Sequence, residues 1–140
     1  MKSKIIFFAV SLFLFLSSPL LPQKIADQNS SAKEACIKTL LRGLNSDNQG
    51  LQAGCTYMLG ELYCDKSVIT LLDILHSNPL EELRILAALS LYKIRDAHGI
   101  YAIKQVIKFD ESDRVSKLCE KFYKAYMNEE NSSQVEVAVK

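Results

Sequence analysis

From Leu51 to Tyr126 the apolar positions recur at helical spacing, and the whole pattern returns at one fixed interval. Leu51, Leu83 and Val115 open the three copies, evenly spaced along the chain. Cys55, Ala87 and Cys119 then align as a column of small residues. Leu59, Leu91 and Tyr123 form a second column, and Leu62, Ile94 and Tyr126 a third. A fixed period of this size, with helical spacing inside each copy, marks stacked helix pairs that bury their apolar faces against one another.

Taken in order, the pattern predicts six helices over residues 33–44, 49–63, 66–76, 79–94, 97–108 and 113–127. The first carries Cys36, Ile37, Leu40, Leu41 and Leu44 on one face. The second places Leu51, Cys55, Met58, Leu59 and Leu62 inward, with Gly54 and Gly60 either weakening it or marking close helix contacts. Asn45 to Asn48 form a turn with capping residues. Asp65 is a candidate N-cap, and Pro79 suits the first position of the fourth helix. Glu81 and Glu82 follow in its first turn, where the helix dipole favours acids. The expected fold is an all-α solenoid of three antiparallel helix pairs, with repeats at 34–64, 65–95 and 96–127. Residues 27–33 read as a polar linker and 128–140 as a disordered tail.

The N-terminus changes the picture of compartment. Lys2 and Lys4 precede an apolar run from Ile5 to Leu16, broken only by Ser11 and ended by Ser17, Ser18, Pro19 and Pro22. This is the layout of a secretory signal peptide, with an uncleaved membrane anchor as the alternative. Residues 1–26 form this segment, and the body is expected in the periplasm or secreted. These residues carry three of the 17 basic residues and no acid. The remainder therefore holds 14 basic against 16 acidic residues, a net −2. A near-neutral body offers no electrostatic basis for binding nucleic acid.

The second unit reads Leu71-Leu72-Asp73-Ile74-Leu75, then Leu83-Arg84, Ala87-Ala88-Leu89 and Ile94-Arg95-Asp96. The third opens Asp96-Ala97-His98-Gly99-Ile100-Tyr101-Ala102-Ile103. Together these resemble the HEAT repeat, in particular the short bacterial form called phycobilisome-lyase-type HEAT-like. That form has a leucine-rich first helix, then a hydrophobic-Arg pair and an Ala-Ala-Leu run in the second. The resemblance covers residues 34–127. Only Arg84 occupies the arginine column, with Gln52 and Ser116 at the equivalent places. The resemblance implies a fold and a style of binding, and does not imply lyase activity.

Candidate chemistry is sparse. An antiparallel first hairpin would bring Cys36 near Cys55, which makes a disulfide between them geometrically possible; Cys64 is a weaker partner. The cysteine spacings match no zinc pattern, and the two histidines, His76 and His98, stand at helix ends. No phosphate loop, nucleophile elbow or His-Glu-x-x-His pair occurs, so no enzyme activity, metal or cofactor is expected. The last helix interleaves Lys117, Lys121 and Lys124 with Phe122, Tyr123 and Tyr126, and Tyr92, Lys93 and Arg95 extend that surface on the fourth helix. Those eight charged or tyrosine positions form the expected face for a protein partner, since tyrosine and arginine are common interface anchors. The expectation is a monomeric, non-catalytic interaction module, touching a membrane only through its N-terminal segment. An accessory or ligand-handling subunit of an enzyme system, or a membrane-tethered structural protein, are the alternatives.

Overall fold

A computed structural model of the protein describes residues 21–138, with side chains over residues 30–133. The described residues are all α, in six helices and one 3-10 turn. Helix α1 covers Leu21–Gly43, α2 Gln49–Glu61, α3 Val68–Ser77, α4 Glu81–Ile94, α5 Ala97–Phe109 and α6 Asp113–Ala138. The 3-10 turn is Asp65–Ser67. Most of the expected signal or anchor, residues 1–20, lies outside the described residues. None of the described helices is long and apolar enough to cross a membrane. The chain divides between Cys36 and Ile37 into two compact units, and the core belongs to the second.

Local chemistry sets most helix ends. The Asn48 side chain accepts from the Leu51 amide at 3.0 Å and caps α2. Asp96 does the same for α5, accepting from the amides of His98 and Gly99. Two expected starts differ. Asp65 opens the 3-10 turn instead of capping α3, and the buried Ser67 hydroxyl closes that turn by donating to the Cys64 carbonyl at 2.7 Å. Helix α4 begins at Glu81, because the Asn78 side chain accepts from the Leu80 amide and shapes an extended entry after Pro79. Tyr63 and Arg95 end the second helices of the first two repeats with φ of 50° and 63°. They stand one period apart, so the repeat extends to its left-handed corners.

The second helices stack, α2 on α4 and α4 on α6, while α3 packs on α4, α5 on α6 and α3 on α5. This order is consistent with the helical repeat read from the sequence. The small-residue column lies inside it, with Cys55, Ala87 and Cys119 all buried. Small side chains there let successive second helices approach closely. One tight approach is between Gly60 and Ser90, where a Cβ on Gly60 would fall 2.8 Å from the Ser90 Cα. Ser90 is buried and donates to the Thr56 carbonyl at 2.8 Å, which satisfies its hydroxyl across the same contact.

One buried polar clamp ties two repeats. Arg84 on α4 donates through Nε and Nη2 to the Asp110 carboxylate at 3.1 and 3.0 Å. Its Nη1 donates to the Asn78 carbonyl at 2.9 Å. Both side chains are largely buried, so the bidentate pair fixes the turn after α3 against the turn after α5.

The structure corrects the sequence reading at both ends of the repeat region. Residues 27–33, expected as a linker, are part of α1, in a run from residue 23 to residue 42 free of Gly and Pro. Residues 128–138, expected to be disordered, continue α6. Glu129 is the reason: it accepts from Tyr92 and pairs with Arg95, which stand on α4 and at its C-terminal cap. Ser132 and Ser133 add hydroxyl donation to the carbonyls of Asn128 and Glu129. Leu51 and Met58, expected inward, are exposed. Their counterparts have an earlier second helix to pack beneath, whereas α2 opens the series. Cys36 is also exposed, while Cys55, Cys64 and Cys119 are buried, and all four are free thiols. The Cys36–Cys55 bridge is therefore not formed in this structure. Cys55 lies instead against Gly43, where an added Cβ would collide with its sulfur.

Candidate partner-binding face on the second helices

The C-terminal halves of the second helices bring aromatic and charged side chains together in two clusters. In the first, Lys93 on α4 forms an ion pair with Glu61 on α2. Its ammonium also stands 4.9 Å from the centre of the Tyr57 ring. The hydrogen bond from Lys93, followed by one from Tyr57, holds the Glu61 carboxyl below its ordinary range. The same Glu61 contact raises Lys93 and Tyr57 above theirs. Tyr63, the left-handed corner, adds an exposed ring at this end of the face.

In the second cluster, Tyr92 stacks on Phe122 with ring centres 6.0 Å apart and planes 14° apart. Its hydroxyl donates to Glu129 at 2.7 Å, and that hydrogen bond, with burial behind it, raises the Tyr92 phenol. Arg95 pairs with the other oxygen of Glu129 and lies 5.5 Å from the centre of the Tyr126 ring. Both clusters are thus crossed by carboxylates, and each cation also touches a tyrosine.

The structure gathers Tyr92, Lys93, Arg95 and Tyr126 of the expected face. It assigns the other four differently. Tyr123 packs against the core beneath Lys104 of α5, whose ammonium is 5.8 Å from its ring centre. Lys124 pairs with Glu120 one turn earlier at 2.7 Å. Lys117 and Lys121 are exposed on the same stripe of α6 as Lys124. Three members of the clusters were missed in the sequence: Tyr57, Glu61 and Glu129. The signal for Glu61 was present, because it stands one period before Lys93. Glu82 and Arg114, also one period apart, pair at 2.8 Å between α4 and α6. Opposite charges one period apart were therefore the sign of contact between repeats.

Five of the six tyrosines lie on the second helices or at the residues that close them. Apart from Tyr63, their rings are held by cations or by stacking, so little rotamer freedom is left for a partner to remove. Among the described residues, no group of three His, Cys, Asp or Glu side chains is placed to hold a metal ion. No protein-family model matches the chain, and no curated protein matches it.

Proposed function

We propose that the protein is an exported, non-catalytic interaction module of HEAT-like repeats that binds a protein partner through its second helices. The observation that carries this reading is the pair of aromatic and charged clusters, Tyr57-Glu61-Lys93 and Tyr92-Arg95-Tyr126-Glu129. They give one surface the tyrosine and arginine content of interface hot spots, with its side chains already held in place. The Lys2, Lys4 and Ile5–Leu16 pattern supports export.

The test is photo-crosslinking in the native cell envelope from a probe at Tyr63, followed by identification of the captured chain. The native protein is expected to capture one defined protein, and the Tyr57→Ala/Tyr126→Ala variant to lose it while keeping its helical content. A native protein that captures nothing, or equal capture by the variant, would refute a partner on this face. Intact mass of the uncrosslinked protein tests export in the same sample: a chain shortened by the N-terminal segment supports it, and the full-length mass points to a tether.

A further inference from the structure

A different surface, on the first helices, carries large exposed apolar side chains beside a groove. Ile69 on α3 is 77% exposed, and Tyr101 and Phe109 on α5 are 63% and 76% exposed. Tyr101, Gln105 and Phe109 recur at every fourth position, so they share one stripe of α5. Ile69 and Tyr101 lie one period apart and occupy the same position in successive repeats. Between the helices runs a groove of about 350 Å³, lined by Leu72 and His76 on one side and Tyr101, Ala102 and Gln105 on the other. Contiguous exposed apolar surface of this kind is what interaction sites present.

The charges indicate which occupant. The outward side of α3 carries exposed Asp73, whereas that of α5 carries exposed Lys104 and Lys108. Beyond the groove itself, the far side of α3 thus carries an acid, beside the turn that opens α2, and the far side of α5 two bases, with Lys104 leaning over Tyr123. Position 73 is one period before position 105, so Asp73 stands level with the two lysines. A two-fold axis along the groove sets α3 of one copy over α5 of the other without changing levels. Ile69 then meets Tyr101 of the partner copy, and Asp73 meets Lys104 and Lys108. The same contacts repeat on the other side of the axis, as an isologous interface requires. We propose that the protein forms a two-fold homodimer through this α3–α5 face, in place of the monomer expected from the sequence. The proposal uses neither cluster of the second-helix face and does not rest on the function proposed above.

Charge exchange supplies a test that association through any other part of the chain cannot imitate. Asp73→Lys places like charges opposite one another in its own dimer, and so does Lys104→Glu/Lys108→Glu. A mixture of the two variants restores opposite charges at both symmetry-related places. Sedimentation equilibrium on the full chain, with the two variants carrying distinguishable labels, reads this directly. The native protein is expected to dimerise, each variant alone to dissociate about tenfold or more readily, and the mixture to return to heterodimers close to native affinity. Recovery in the mixture also shows that both variants fold. Ile69→Asp is expected to give a monomer that no charge partner rescues. A native monomer at every concentration would overturn the proposal, as would variants that dimerise as well alone as mixed.

Discussion

At the scale of single residues, glycine shows how one residue type serves opposite ends. Gly54 and Gly60 share helix α2 and look alike in the sequence. Around Gly54 an added Cβ meets nothing within 4 Å, whereas at Gly60 it would strike the backbone and side chain of Ser90. Gly54→Ala should therefore stabilise the protein by up to about 1 kcal/mol through helix propensity alone. Gly60→Ala gains the same propensity but forces α2 away from α4, and a net loss of about 1–3 kcal/mol is expected. Urea unfolding of the two variants beside the native protein measures both. Equal effects would mean that the α2–α4 approach is not tight. The Cys119 thiol belongs to the same scale. Burial pushes it up to about 12, so it serves as a small packing side chain and stays unreactive toward alkylating reagents until the fold opens.

At the scale of elements, pairs one period apart hold neighbouring second helices in register. Lys93 keeps Glu61 below its ordinary carboxyl value of 4.5. A carboxyl lowered by folding contributes stability above that value and loses it as pH falls through the folded value. Lys93 is raised above its ordinary 10.5, so its contribution is complete below that value and fades as pH rises through the folded one. The pair therefore acts between these limits. Glu61→Gln is expected to melt below the native protein near neutrality, with the difference vanishing in acid, where both chains carry a neutral side chain there. Thermal melts across pH check this, and a gap that persists in acid would assign the effect to packing. The extension of α6 past residue 127 also belongs to this scale. A polar stretch reads as tail in isolation, but Glu129 lands between Tyr92 and Arg95 and holds the helix in place.

For the whole molecule, the Arg84–Asp110 clamp is a contact whose loss should be felt across two repeats. Its two partners lie 26 residues apart and join the turns of two repeats. Asp110→Ala leaves a guanidinium in a site only 13% exposed, which should cost about 3 kcal/mol or more. Arg84→Leu in the Asp110→Ala background should recover part of that loss, because an apolar pair carries no uncompensated charge. Equilibrium denaturation of the single and double variants decides it, with strict additivity as the outcome that would dissolve the clamp. Because helix pairs share one core through their neighbours, this loss should appear as a single cooperative transition at lower denaturant rather than as release of one repeat.

The sequence by itself determined the all-helical fold and most of the core-facing stripes. Apolar spacing, the capping residues of the turn at residues 45–48, and the even interval between copies are local or periodic signals that need no tertiary partner to be read. Helix boundaries were legible wherever capping chemistry settled them, and failed at Asp65 and Pro79, where the turn's own hydrogen bonds decided. Only the tertiary structure decided which side chains on the surface meet. It assigned Gly60 to a tight contact and Gly54 to open space, left Leu51 exposed while burying Leu83 and Val115, and divided the expected eight-residue face between two clusters, a lysine stripe and, for Tyr123, the edge of the core. It also turned a polar tail into helix. Each of these outcomes depends on what the neighbouring repeat presents across a few ångströms, and that distance is set by the packing of whole helices, not by the residues on either side in the chain.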